Sequence, residues 1–361
     1  MTNFCGLRES GSKLMMRLKE KIELGEPYFI AEMSANHAGK LENALEIVRA
    51  AKDSGADCVK IQTYTPDTMT IDCDNAYFRV NGGLWDGYKL YDLYKDAYTP
   101  WEWQKTIKEE AESIGLDFLS TPFDVTSVDF LEEIGVQAYK IASFELVDIP
   151  LIRYAASKGK PMLISCGMGS VAEIELAIDT ALQEGLTREQ ILLLKCTSAY
   201  PADPADMNLL TIPDMASRFG VKVGLSDHSM GALAAVVGVS LGACVIEKHF
   251  CLDRSIKNPD SDFSMEPVEF ARMVAEAKET AKIRGKATYE LSEKEKASTV
   301  FRRSLFAIKD IKKGESFTGE NTRCIRPGYG IAPQHYDKLL ESLSKREYKK
   351  GQPISEEEIS Q

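Results

Sequence analysis

Long apolar runs are missing from this chain. No stretch approaches the roughly 18 uncharged apolar residues that a membrane-spanning helix requires, so no membrane partner is expected. Basic excess is missing too: the 361 residues carry 44 Lys and Arg against 55 Asp and Glu, a net charge of −11. Nucleic-acid-binding domains usually carry a basic face, so no nucleic-acid partner is expected, although a small anionic ligand needs only a few local cations. The eight cysteines include no CxxC pair, and several sit inside apolar runs. They read as reduced, buried thiols of a cytoplasmic protein. The stretch MTNFCGLRESGSKLMMRLKEK has no apolar core followed by small residues, so no secretory signal is expected. What is present, 44% hydrophobic and 27% charged residues, suits a globular protein with one large core or two.

Eight short apolar runs punctuate the first 250 residues. They are YFIAEMSAN (28–36), CVKIQTY (58–64), LDFLSTPFD (116–124), AYKIAS (138–143), PMLISCG (161–167), ILLLKCTS (191–198), VKVGLSDH (221–228) and CVIEKHF (244–250). Near-continuous apolar runs suit parallel strands covered on both faces. Helical periodicity fills most of the gaps, most clearly in Leu41–Ser54, Trp103–Ile114, Val171–Glu184, Leu210–Phe219 and Ala232–Leu241, several of them closed by a C-terminal Gly. Eightfold strand–helix alternation predicts a (β/α)8 TIM barrel. An open doubly wound sheet is the rival, but it usually has fewer strands, and no GxGxxG follows any run.

One gap is long. Runs two and three start 58 residues apart, and all three tryptophans (Trp85, Trp101, Trp103) and six tyrosines fall between residues 64 and 103. On a barrel this insertion lies on the face that bears active sites. It reads either as a loop packed on its own aromatics or as a wall that covers a sugar. After Pro267–Ala281 the composition changes, and 286–300 reads as a polar linker or connecting helix. Residues 301–361 carry a short repeat, IKKGESFT (311–318) and YKKGQPIS (348–355), with RPGYG (326–330) between the copies. Lys-Gly turns between short extended runs predict a small β-rich domain. The expected division is therefore a barrel over 1–285, a linker and a C-terminal domain.

Barrel strands carry chemistry at their C-terminal ends. Of four histidines, His228 and His249 close runs seven and eight. Adjacent strands lie about 4.8 Å apart, so the two imidazoles can share one divalent ion. Either one alone reads as structural; the pair reads as a metal site with open positions for substrate. Lys60 and Lys140, with Thr121, Ser143, Ser165, Ser198 and Ser226, can form a cup of donors for an anion. Lys248 points away from His249 and is left out. Glu32, Glu145 and Asp260 are the carboxylates placed to orient hydroxyls or exchange protons.

Taken together, AEMSANHAGK, VKIQTYTPDTM, STPFD, YKIASFE, LLKCTSAYP, GLSDHS and EKHFCLDRS resemble the sialic acid synthase family, which joins phosphoenolpyruvate to acetamido sugars. SLFAIKDIKKGE and IRPGYG resemble the antifreeze-like (SAF, β-clip) domain of those enzymes. The insertion GGLWDGYKLYDLYKDAYTPWEW and KCTSAYP look like the pseudaminic branch. The resemblance implies that His228 and His249 hold a divalent metal (Mn2+, Mg2+ or Co2+). It implies that Lys60, Thr121, Lys140, Ser143, Ser165, Ser198 and Ser226 surround phosphoenolpyruvate. Glu32 and Asp260 match the residues that hold sugar hydroxyls, and Glu145 matches a proton-transfer residue. Arg326 matches an arginine delivered to the other subunit's site, which implies a domain-swapped homodimer. Ser198 stands where N-acetylneuraminate synthases commonly have Asn, and this departure fits the pseudaminic branch.

The implied reaction condenses phosphoenolpyruvate with 2,4-diacetamido-2,4,6-trideoxy-altrose, a sugar whose missing 6-hydroxyl suits the aromatic insertion. N-acetylneuraminate or legionaminate synthesis is the alternative within the family. A Schiff-base aldolase using Lys195, within run six, is more distant. So is a glycan-binding protein without catalysis.

Overall fold

In the computed structural model, residues 13–360 are described. Cys5 and most of the stretch read above for a secretory signal lie outside them. The eight apolar runs form eight parallel strands: β1 (Tyr28–Glu32), β2 (Cys58–Thr63), β3 (Asp117–Pro122), β4 (Tyr139–Ile141), β5 (Met162–Ser165), β6 (Ile191–Cys196), β7 (Lys222–Asp227) and β8 (Val245–His249). They pair in sequence order and close as β8 meets β1, with Tyr28 opposite Val245 and Glu32 opposite His249. Closure leaves no free edge, and each strand is covered inside by side chains and outside by helices. That double covering is why the runs are apolar on both faces.

Period-two alternation sorts each strand into two sets. One set, including Phe29, Val59, Phe118, Ile164, Leu193 and Ile246, packs outward against the helices. The other, including Ile30, Cys58, Leu119, Leu163, Leu194 and Val245, fills the lower interior. Gly224 belongs to this inner layer for a steric reason: a Cβ there would lie 2.6 Å from Leu194 Cδ2 and 2.6 Å from the Val245 carbonyl. A helix absent from the sequence reading, Lys13–Glu23, covers this end of the barrel. Its Leu14 and Leu18 join the inner cluster. Arg17 pairs with Asp117 at 3.3 Å and Lys21 with Asp57 at 2.7 Å. Polar chemistry is therefore concentrated at the opposite end, where the strands finish.

The insertion after β2 is more ordered than a plain loop. It contains the helices Pro66–Met69 and Leu90–Ala97, the first capped by Thr65. Its three tryptophans have different surroundings. Trp101 packs on Phe130, with ring centroids 4.8 Å apart, and its indole N–H donates to the Tyr64 carbonyl at 3.0 Å. Trp103 meets His37 edge-on at 5.7 Å. Trp85 turns to the barrel mouth.

The chain divides into two compact units after Gly285. In the second, β9 (Ser304–Ala307) and β10 (Thr322–Ile325) pair antiparallel. The two repeat copies also face each other: the Ile311 and Tyr348 backbones exchange hydrogen bonds of 2.8 and 2.9 Å. Each copy then turns at a glycine in the left-handed region, Gly314 at φ 82° and Gly351 at φ 89°, which explains the repeated Lys-Lys-Gly. Leu305, Phe317, Ile331, Leu339 and Ile354 complete a separate small core. The polar stretch before it contains one short helix, Glu293–Ser298, capped by Ser292.

Candidate active site

The alternation that builds the floor also places the next inward layer. Above Ile30, Cys58, Leu119 and Leu163 come Glu32, Lys60, Thr121, Lys140, Ser165, Ser226 and Glu247, all buried. Lys60 Nζ lies 2.6 Å from Glu32 Oε2 and 3.6 Å from Glu247 Oε1, and it donates to Thr121 Oγ1 at 3.3 Å. Lys140 Nζ donates to Ser165 Oγ at 2.7 Å and lies 3.8 Å from the same Glu247 oxygen. Ser226 Oγ also donates to that oxygen, at 3.2 Å. Glu247 thus bridges the two lysines. Burial pushes its carboxyl up, but Lys140 and Lys60 more than reverse this, and the net shift is downward. Glu32 moves the other way: burial raises it, and Lys60 offsets only part of the rise. Burial lowers the Lys140 ammonium below its usual range. Two carboxylates with opposite shifts on one lysine can play different roles.

At the ends of β7 and β8, the rings of His228 and His249 lie 5.4 Å apart between centroids. His228 Nδ1 donates to the Thr197 carbonyl at 3.1 Å. That bond orients the ring and leaves Nε2 for a ligand. Burial lowers this imidazole, but Cys196 and the Thr197 carbonyl more than reverse it, and the net shift is upward. His249 Nδ1 is buried without a hydrogen-bond partner. Burial, followed by the positive charge of its neighbours, holds this imidazole neutral, well below its ordinary range. Two adjacent imidazoles, one with an unsatisfied nitrogen, suit a divalent ion. Among the described residues no cluster of three or more His, Cys, Asp or Glu side chains forms a ready-made metal cage.

The strand-end loops add the rim. Ser143 and Ser198 meet over Gly167, whose N–H donates to Ser143 Oγ at 3.1 Å. A Cβ on Gly167 would come within 2.2 Å of Ser198 Oγ and 2.8 Å of Ser143 Oγ. Glu145 follows β4 in a 3-10 turn (Ser143–Glu145). Its Oε2 is buried and unpartnered, and burial pushes the carboxyl up to about 7. Asp260 accepts the Ala35 N–H at 3.2 Å, and burial raises its carboxyl despite that bond. The adjoining Ser34 is held in the left-handed region, φ 43°, a strain of the kind that clusters at functional sites.

The NeuB family profile matches residues 47–289, and the SAF domain profile matches 302–360. The chain belongs to the NeuB family. It is 45% identical over 332 residues to the pseudaminic acid synthase of Campylobacter jejuni subsp. jejuni serotype O:23/36 (strain 81-176), covering 92% of this chain and 96% of that one. It is 41% identical over 337 residues to the pseudaminic acid synthase of Helicobacter pylori (strain ATCC 700392 / 26695), covering 93% and 98%. The crystal structure of an N-acetylneuraminic acid synthetase from Leptospira borgpetersenii, in complex with citrate, matches with a TM-score of 0.68. That match has 32% identity and covers 76% of this chain and 90% of that one.

In this NeuB-family chain the barrel unit brings together Glu32, Lys60, Thr121, Lys140, Ser165, Ser226, His228 and His249, with Ser143, Glu145, Ser198 and Asp260 on the loops above. Arg326 lies in the second unit, directly after β10. Lys195 does not point into the barrel. Leu192 and Leu194 occupy the inner cluster, so Lys195 faces the helix side, donating to the Cys196 carbonyl at 2.9 Å. This position takes Lys195 out of the cup, so it is not placed as the Schiff-base nucleophile of an aldolase there. Lys248 also faces outward, paired with Asp227 at 2.7 Å.

Glu247 shares the inward face of β8 with His249, where two-residue alternation places it together with Ser226, although the sequence reading assigns it no role. Two further participants were missing from the sequence reading of the site. Gln62, two residues beyond Lys60, donates to both Glu32 and Ser34 at 3.0 Å, and the same rule finds it. Tyr200 lies in a loop; its ring sits 4.4 Å from that of His228, and no periodic signal marks it.

Proposed function

We propose that this chain condenses phosphoenolpyruvate with 2,4-diacetamido-2,4,6-trideoxy-altrose to give pseudaminic acid and inorganic phosphate, as a cytoplasmic transferase. The observation that carries this reading is the buried Lys60–Glu247–Lys140 bridge beneath the two adjacent imidazoles of His228 and His249 at one barrel mouth. The likeness to pseudaminic acid synthases over most of the chain supports this choice of sugar.

Lys60 and Lys140, with Thr121, Ser143, Ser165, Ser198 and Ser226, hold the phosphate and carboxylate of phosphoenolpyruvate. Their two positive charges are already matched by Glu32 and Glu247, so further positive charge is required for a substrate this anionic. His228 and His249 would hold a divalent ion (Mn2+, Mg2+ or Co2+), which when bound supplies Lewis-acid polarisation of the sugar aldehyde. Arg326 contributes a second cation, delivered by the C-terminal domain of a partner copy in a domain-swapped homodimer. Residues 286–300 act as the linker between the barrel of 1–285 and the domain of 301–361.

Glu32 and Asp260 orient the sugar hydroxyls, with Gln62 fixing the Glu32 carboxyl. Holding both substrates in one cup makes their encounter effectively intramolecular. C3 of phosphoenolpyruvate bonds to the aldehyde carbon, and C2 becomes an oxocarbenium ion. Glu145 takes a proton from the water that adds to C2, a task suited to a carboxyl poised near neutrality. The C2 hydroxyl then passes its proton to the departing phosphate as the C2–O bond breaks and the ketone forms. The former aldehyde oxygen takes up the proton held by Glu145 to become a hydroxyl.

Phosphate release from phosphoenolpyruvate, measured with a panel of acetamido sugars with and without EDTA, tests the reading. Turnover is expected with the trideoxy-altrose and is lost with EDTA. Turnover with N-acetylmannosamine alone would move the chain to the N-acetylneuraminate branch. Saturable sugar binding with no phosphate release would leave a glycan-binding protein.

A further inference from the structure

Trp85 is the tryptophan of the insertion that departs from the packing of its neighbours. Its indole N–H donates to the Pro259 carbonyl at 3.0 Å, one residue before Asp260 and 174 positions away in sequence. Its ring lies against Tyr200, with centroids 5.5 Å apart and planes at 49°. Tyr200 lies against His228 at 4.4 Å and Phe263 at 5.2 Å, and Phe263 meets His249 at 4.8 Å. A continuous row of rings therefore runs from the imidazole pair outward to Trp85.

Polar groups lie deeper in the mouth: Glu32, Ser34 and Asp260 are buried at the strand ends. Leu84 and Tyr88, which flank Trp85 at the outer edge, are 44% and 45% exposed. The single polar atom of the indole is already committed to Pro259, so the ring offers only its face and edge to a ligand. A sugar whose reacting aldehyde sits at the imidazoles presents its far carbons to this outer, apolar edge.

We propose that Trp85 is a specificity-determining residue that recognises the deoxygenated, methyl-bearing end of the acceptor sugar. This inference rests on the condensation proposed above and adds the residue that selects its acceptor. The Pro259 bond pins the insertion across the mouth and holds the ring in place. A methyl at the far carbon packs on the indole, whereas a hydroxymethyl leaves its hydroxyl without a partner there.

The test compares the unsubstituted protein with Trp85→Ala and Trp85→Phe, using the trideoxy-altrose and its 6-hydroxy counterpart. Trp85→Ala should raise the KM for the trideoxy sugar about tenfold, the scale of one methyl-sized contact in an apolar pocket. The KM for the 6-hydroxy sugar should move far less, and the KM for phosphoenolpyruvate should stay unchanged. Trp85→Phe keeps an aromatic face without the N–H and should retain most of the selectivity. Equal losses on both sugars, no change in either, or a loss confined to phosphoenolpyruvate would each overturn the role of Trp85. Absence of phosphate release by the unsubstituted protein would overturn the condensation itself, a distinct result from unaltered selectivity in an active enzyme.

Discussion

Lys60 and Glu32 face each other inside the barrel with 2.6 Å between Nζ and Oε2, and both are buried. Their partnership couples the stability of the barrel to its chemistry. Replacing Lys60 by Met leaves Glu32 and half of the Glu247 bridge without compensation. The barrel should lose about 3–5 kcal/mol, the usual cost of breaking a buried pair from one side. Urea unfolding of Lys60→Met measures this, and adding Glu32→Gln should recover part of the loss. A loss below about 1 kcal/mol would mean that Glu32 finds other partners.

Metal dependence should follow the imidazole pair. Removing either ring with His228→Ala or His249→Ala should abolish stoichiometric manganese binding, measured by elemental analysis after gel filtration. Turnover should fall by more than about 100-fold. Unchanged binding in both variants would remove the pair from the metal site.

Glu145 should set an acidic limb of the pH profile. Its carboxyl sits near 7, and a base must be ionised to accept a proton, so kcat should fall as pH drops through about 7. Glu145→Gln should lower kcat by about 10²–10⁴ and erase that limb. Stability carries the opposite sign. A carboxyl raised in the folded state binds more protons there than in the unfolded chain, so stability declines as pH rises from the ordinary carboxyl range to about 7. The Gln variant should flatten this slope, and an unaltered slope would assign it to another group.

Gly167 tests the hydroxyl rim. A methyl group there would collide with Ser198 and Ser143 and push both hydroxyls aside. Gly167→Ala should raise the KM for phosphoenolpyruvate about tenfold and cost about 1–3 kcal/mol of stability. Normal phosphoenolpyruvate kinetics would show that these serines do not hold it.

Arg326 tests the contribution of the C-terminal domain. Arg326→Ala should raise the KM for the sugar by tenfold or more, the scale of a lost charged hydrogen bond, with a smaller effect on phosphoenolpyruvate. Small, equal effects on both substrates would take Arg326 out of the site. In the unsubstituted protein, sedimentation should report a dimer.

Much of the site could be read from period-two alternation. Once the runs are strands, Glu32, Lys60, Thr121, Lys140, Ser165, Ser226, His228 and His249 fall on one face because successive side chains point to opposite sides. The same rule includes Gln62 and Glu247 and excludes Lys195. Tyr200 and Trp85 are different in kind, because irregular loops carry no period from which a side chain's direction can be inferred.

By itself, the order of residues determined that eight strands alternate with helices, which side chains share the barrel interior, and that a second small β-rich domain follows. Only the closed ring decided that Glu247 would stand between Lys60 and Lys140. Side chains from β2, β4 and β8 meet because closure points them at a common axis, and no local pattern encodes distances across that axis. Likewise, only the folded chain brought Trp85 onto Pro259. A contact between residues so far apart depends on where the barrel holds two loop ends.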